Sequence, residues 1–169
     1  GAQKNLGPSG VTLVIIKREL VERGRKDIPK IFQYRTHQAE NSLYNTPPTF
    51  GIYILMLVTR WLLEKGGAAG IEKINQAKAD KLYAAIDNSG GFYRGTAVKE
   101  FRSTMNVTWR LPSEDLEALF VKEAIAQKMS GLKGHRSVGG IRASIYNACP
   151  AESIDALIAF MKDFQARNG

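Results

Sequence analysis

The sequence predicts an α+β chain, helices packed on one face of a small antiparallel sheet, on three observations. Met105, Val107, Trp109 and Leu111 alternate with polar residues, the period-2 pattern of a half-exposed strand. Ile141, Ala143 and Ile145 alternate in the same way with Arg142, Ser144 and Tyr146, so the two sets fall on opposite faces. Leu116, Leu119, Phe120 and Ala124, and later Ile154, Leu157, Ile158, Met161 and Phe164, recur at helical spacing.

Taken in order, Gly7-Pro8-Ser9-Gly10 is a turn that leads into Val11 to Ile16, a short β-branched run expected as a fully buried strand. Residues 20 to 46 are polar and aperiodic, and read as a long loop with brief turns. Thr46, followed by Pro47 and Pro48, is expected to cap a buried helix over about Phe50 to Lys65 that stops at Gly66-Gly67. That stop divides the chain into residues 1–66 and 67–169. Ile71, Ile74, Leu82, Ala85 and Ile86 trace one face of the next helix, which ends at Asn88-Ser89-Gly90-Gly91. Pro112-Ser113-Glu114-Asp115 opens a further helix with acidic groups in its first turn, where the helix dipole favours them. Pro150 precedes the terminal helix.

Composition narrows the function classes. The composition, 44% apolar and 24% charged, is that of a globular protein, and 169 residues suffice for one domain with a real core or for one small domain plus a piece of another. No apolar run reaches the ~18 residues of a membrane helix, and no secretion signal opens the chain. The single Cys149 has neither a disulfide partner nor metal-ligand companions, which points to a reducing cytoplasm. A formal charge of +8 raises nucleic acid as a partner, but the basic residues are spread along the chain with no dense run, which argues against it. The chain opens with Gly1-Ala2-Gln3-Lys4 and no initiator Met, as the middle of a longer protein would.

Chemistry concentrates between Gly134 and Asn147. His135 and Arg136 precede a flexible Gly139-Gly140 pair, and Arg142 follows on the strand, opposite its packed face. Two separated positive groups suit a small ligand with two acidic ends, such as a carboxylate and a phosphate. A solvated basic turn before an edge strand explains the same spacing, and the residues alone leave both readings open.

Three segments resolve the choice together: Gly1-Ala2-Gln3-Lys4-Asn5 with the Gly-Pro-x-Gly that follows, Ser42 to Phe50, and Leu132-Lys133-Gly134-His135-Arg136 through Asn147. In this order the chain resembles the phosphoserine aminotransferases, pyridoxal-phosphate enzymes of the class-V aminotransferase family, along its whole length. The resemblance implies the α/β architecture of fold type I. Residues 1–66 would then be the end of the cofactor-binding large domain, and residues 67–169 an α+β small domain.

It also implies a set of roles. Lys4 forms the Schiff base with pyridoxal phosphate and moves a proton once substrate displaces it, an amine activated by positive neighbours and partial desolvation. Gln3 contacts the cofactor's ring or phosphate side, and Asn45 and Thr46 bind the cofactor phosphate in the neighbouring subunit of a homodimer. His135 and Arg136 hold the substrate phosphate, and Arg142 grips the α-carboxylate through its planar fork. The reaction implied is amino transfer between glutamate and 3-phosphohydroxypyruvate, for serine biosynthesis and, with a phosphorylated hydroxythreonine, pyridoxine biosynthesis. The family's amino-terminal portion is absent, so this segment alone is expected to be inactive. Trp61 and Trp109 are assigned to core packing and His37 to an ordinary loop position. A different substrate within the same fold type, and a non-enzymatic basic binding module, are the competing classes.

Overall fold

One carbonyl organises the start of the chain. The Ala2 oxygen accepts the amide hydrogens of Lys4, Leu6 and Gly7 at 2.7, 3.1 and 2.9 Å, and the buried Ala2 donates its own N–H to the Val11 oxygen at 2.9 Å. The computed structural model describes residues 1–169, which divide into two units, Gly1–Glu64 and Lys65–Gly169.

In the first unit the opening turn lies on the helix α3, Thr49–Glu64. A methyl group added at Gly7 would meet the Leu55 backbone at 3.5 Å, and one at Gly51 would strike the Val11 side chain. Between them run two six-residue helices, α1 (Arg18–Arg23) and α2 (Tyr34–Ala39), and a 3-10 turn at Lys30–Phe32. Side chains tie this polar stretch to its own backbone. The Arg35 guanidinium donates to the carbonyls of Glu22 and Gly24 at 3.1 and 2.9 Å. The Gln33 amide donates to those of Lys26 and Ile28 at 3.1 and 2.6 Å.

Three expectations for this unit are corrected. Val11 to Ile16 is not a buried strand: only Val11 is buried, and Ile15 is 93% exposed. A fully buried strand needs neighbours to pair with and a layer on each face, and residues 1–64 contain no other strand. Thr46 does not cap α3, which starts three residues later at Thr49. Thr46 and Pro47 each precede a proline, whose ring disfavours helical backbone in the residue before it. The Pro48 carbonyl is therefore the one that accepts the first helical bond, from the Ile52 amide at 3.0 Å. Nor is α3 buried; none of its residues is, because this unit supplies no second layer for its apolar sides.

Near the start of the second unit Gly66, with a φ of +89°, makes the left-handed turn that separates α3 from α4, Gly67–Asp87. Its buried stripe is Ile71, Asn75, Lys78, Ala79, Leu82 and Ile86. Ile74, expected on that stripe, is 40% exposed, and Ala85 is half-buried. The stripe contains a lysine because Lys78 finds acceptors inside: its ammonium donates to the carbonyls of Ile145, Tyr146 and Cys149 at 3.2, 2.9 and 2.9 Å. Burial pulls the Lys78 pKa below its ordinary value. Asn75 adds a bond from its amide nitrogen to Asn147 Oδ1 at 2.7 Å, so α4 anchors the segment after the last strand.

Strands β1 (Arg94–Gly95), β2 (Asn106–Arg110) and β3 (Ile141–Ser144) form an antiparallel sheet in the order β1-β2-β3. Val107 pairs with Ala143 and Trp109 with Ile141, so the alternation of both strands puts all four on one face, each at most 4% exposed. Formal pairing of β3 ends at Ser144, though Ile145 stays buried and donates its N–H to the Met105 oxygen at 2.9 Å. Helices α4, α5 (Glu114–Ala126) and α6 (Ala151–Asn168) share the core with that face. Phe120 of α5 is its hub: its ring lies 6.2 Å from Trp109, 6.1 Å from Tyr93, 4.8 Å from Phe160 and 5.1 Å from Phe164.

Helix α5 starts where the sequence placed it. The Ser113 hydroxyl accepts the Leu116 amide hydrogen at 3.2 Å, and Glu114, Asp115 and Glu117 fill the first turn. Replacing Ser113 with alanine should cost about 1 kcal/mol, and aspartate should retain most of the cap. Urea unfolding at an unchanged slope checks both values.

Candidate functional site

The basic cluster sits on a loop pinned at both ends. Arg142 N–H donates to the Leu132 oxygen at 2.8 Å, Lys133 bridges to Ile141, and Gly134 N–H donates to the Gly140 oxygen at 2.8 Å. Inside, the His135 carbonyl accepts the amides of Val138 and Gly139 at 2.9 and 2.8 Å, which turns the loop over. Gly139 and Gly140, with φ of +75° and +72°, make the return. A side chain at Gly140 would also collide with the Trp109 carbonyl at 2.9 Å, so strand and loop approach as only glycine permits.

His135 and Arg136 are exposed on this loop and line a cavity of about 640 Å³ together with Lys133, Ser137 and the first turns of α5. His135 Nδ1 lies 2.7 Å from the Ser137 hydroxyl and 3.3 Å from the Ser137 amide nitrogen. A backbone N–H can only donate, so Nδ1 is the acceptor and the ring proton sits on Nε2. An imidazole donor and a guanidinium therefore stand side by side on one rim, a pairing suited to phosphate.

Arg142 is half-buried on β3 opposite Thr108 and lines a different cavity, of about 670 Å³, with Ser144, Ser130 and Cys149. Its Nε is buried without a hydrogen-bond partner. A buried guanidinium N–H left unpaired is costly, and a carboxylate is the group that satisfies it best. His135 and Arg136 are thus brought together, while Arg142 faces a neighbouring recess.

The remaining candidates belong to the first unit. Gln3 and Lys4 are exposed on the turn closed by the Ala2 carbonyl, which fixes the backbone under Lys4. Asn45 and Thr46 are exposed in the segment ahead of α3. The Val11–Gly51 contact sets the lysine turn against the first turn of that helix, just after Pro47 and Pro48. One segment carries a primary amine that can condense with an aldehyde, and the other an amide, a hydroxyl and a helix start that suit a phosphate. Of the residues assigned no role, Trp109 is fully buried core and Trp61 half-buried on α3. His37 is on α2, with Nε2 2.7 Å from the Ile31 carbonyl. Cys149 is half-buried.

Two charged residues that frame the loop escaped the sequence reading. Glu117 is 8% exposed, and its carboxylate accepts the amides of Leu111 and Gly140 while pairing with Arg110. The signal was there: Glu117 lies between Leu116 and Phe120 on the apolar stripe of α5, where a charge needs a buried reason.

Comparison with known proteins gives the family. The family model for class-V aminotransferases matches residues 1–157. A phosphoserine aminotransferase of Herpetosiphon aurantiacus is 58% identical over 169 residues, all of this chain and 47% of its own length. The structure of phosphoserine aminotransferase from Bacillus circulans subsp. alkalophilus superposes with a TM-score of 0.98 at 54% identity, over 100% of this chain and 47% of that one. A phosphoserine aminotransferase from Trichomonas vaginalis, solved with pyridoxal phosphate bound, gives a TM-score of 0.82 at 42% identity over 87% of this chain and 42% of its own. The chain spans about half the length of the relatives it matches.

Proposed function

The chain belongs to the class-V aminotransferases, and from that premise we propose that the full-length polypeptide carrying it moves an amino group between glutamate and 3-phosphohydroxypyruvate, giving O-phosphoserine and 2-oxoglutarate. The observation that carries the substrate is the His135–Arg136 rim, a phosphate-sized pair of donors beside a strand arginine whose Nε lacks a partner. The similarity to phosphoserine aminotransferases over the whole chain supports it.

In this reading residues 1–66 close the cofactor-binding large domain and residues 67–169 are the small domain. Pyridoxal phosphate, when bound, supplies the aldehyde that condenses with amines and the electron sink that makes the substrate α-proton labile. Lys4 Nζ would hold that aldehyde between turnovers and, once freed, would carry the proton released at the substrate α-carbon. Gln3 lies on the ring or phosphate side. Asn45 and Thr46 donate to the cofactor phosphate of the neighbouring subunit in a homodimer, which makes each site a joint construction. His135 Nε2–H and the Arg136 guanidinium hold the substrate phosphate. Arg142 holds the α-carboxylate common to both substrates, which fixes which bond at Cα is broken. The enzyme serves serine biosynthesis in the cytoplasm, and the same anion rim admits a phosphorylated hydroxythreonine for pyridoxine biosynthesis.

The test is selective damage in the full-length holoenzyme. His135→Ala and Arg136→Ala should each raise KM for the phosphorylated acceptor by about 10–100-fold, the worth of a hydrogen bond to a charged group. Both should leave the half-reaction with glutamate intact, and Arg142→Ala should impair both halves. Equal loss with phosphorylated and unphosphorylated substrates would instead mark a different aminotransferase. Salt-dependent nucleic-acid binding without cofactor uptake would mark a basic binding module.

A further inference from the structure

We infer that Glu117 and Arg110 are a positioning pair that sets the anion-binding shape of the loop 134–140. The inference rests on the reading of His135 and Arg136 as phosphate ligands, and goes beyond it by naming what holds them in place.

The argument begins with a conflict. Glu117 lines the same cavity as His135 and Arg136, and a carboxylate beside a phosphate site repels the ligand unless its charge is already committed. The carboxylate is met by three donors. Oε1 accepts the Leu111 amide at 3.3 Å and faces Arg110 Nε at 3.3 Å, while Oε2 accepts the Gly140 amide at 3.1 Å. Arg110 then donates from Nη1 to the Val138 carbonyl at 3.0 Å.

The pair therefore grips the loop at two points, the Val138 carbonyl and the Gly140 amide. Val138 and Gly140 flank Gly139, and the left-handed pair at 139–140 is what turns the chain back toward β3. Arg110 also occupies the space above both glycines: a methyl group at Gly139 would approach its Nη1 at 2.6 Å and one at Gly140 its Cδ at 2.8 Å. The other end of the loop is fixed by the Gly134–Gly140 bond. Without Glu117 and Arg110, the loop would keep the Gly134–Gly140 bond and the two amide bonds to the His135 carbonyl, but would lose the contacts that tie its return at 138–140 to β2 and α5. Neither Glu117 nor Arg110 touches the phosphate in this scheme.

The experiment uses the full-length holoenzyme with inorganic phosphate as the probe. Glu117→Gln keeps the size but loses the charge and one of the two backbone acceptors; Arg110→Gln is the second variant, chosen because that side chain is 35% exposed and tolerates change. Each should weaken inhibition by phosphate and raise KM for the phosphorylated acceptor about tenfold, with kcat and the KM for glutamate within about twofold. Arg110→Lys should recover part of the loss. Amide hydrogen exchange across residues 134–140 should quicken in both variants, a readout independent of turnover. Unchanged phosphate inhibition in both variants overturns the inference, as does a loss shared equally by kcat, both KM values and the melting midpoint. His135→Ala and Arg136→Ala in the same assay separate the failures. If they weaken phosphate and the pair does not, only the positioning role falls. If they too leave phosphate unchanged, the phosphate reading falls with it.

Discussion

Lys4→Ala in the full-length polypeptide is expected to lower transamination by about 10³-fold or more while leaving the fold unaltered, because in the proposed function one side chain supplies both the amine and the proton carrier. The fold is insulated by the way the turn is built. The bonds that close it run from the amides of Lys4, Leu6 and Gly7 to the Ala2 carbonyl, and none of them uses the lysine side chain. Ala2 and Val11 provide the buried contacts, and Lys4 itself is exposed. Melting should therefore move little, since exposed charge pairs contribute about 0–1 kcal/mol. Lys4→Arg is the sharper control. It keeps the positive charge, but a guanidinium stays protonated and cannot accept the α-proton. Both variants should fail to yield a borohydride-reduced cofactor adduct at this position, and an added small amine should restore part of the turnover of Lys4→Ala. Labelling of a different lysine, or near-normal turnover in either variant, would remove Lys4 from the mechanism.

The sequence is legible where one period meets one buried face. Val107 and Trp109, and Ile141 and Ala143, alternate because each strand has a core side, and the observed register seats both sets on the same side. The Val11–Ile16 run fails for the complementary reason. Apolarity states that a segment can be covered, not that its own unit contains the cover, and the same gap misplaces α3 as buried. The start of α3 was missed through a competing local rule, the restriction that Pro47 and Pro48 impose on the residues before them. Of the candidate site, His135, Arg136 and Arg142 can be found by eye because they fall within eight residues. Lys4 has no local pattern at all and is singled out only by resemblance to a family. The Glu117–Arg110 framework joins β2, α5 and a loop 23 residues further on, so it exists only once the chain is folded. Lys78 and Asn75 show the same limit on α4: their partners are carbonyls and an amide near residue 147, which no helical period reveals.

The core of the second unit makes an equally strong prediction. Phe120→Ala should destabilise that unit by about 3–5 kcal/mol, the range for removing a fully buried aromatic ring. The upper part of the range is expected because collapse around the gap is blocked on every side. Trp109 is fixed by the sheet, Tyr93 is held by a hydrogen bond from its hydroxyl to the Met161 carbonyl at 2.7 Å, and Phe160 and Phe164 are rigid rings on one helix. None can swing into the space without losing its own contacts, so a cavity remains. Phe120→Leu, which keeps most of the volume, should cost well under half as much. Against the 5–15 kcal/mol that separates folded from unfolded domains, the alanine variant should lower the urea midpoint by about 2 M at an unchanged slope. The effect should reach the anion rim as well, because α5 carries both Phe120 and Glu117, three residues apart and therefore neighbours on its buried face. A Phe120→Ala protein with an unaltered midpoint would show that the four rings close over the gap, and that α5 is held by its other contacts.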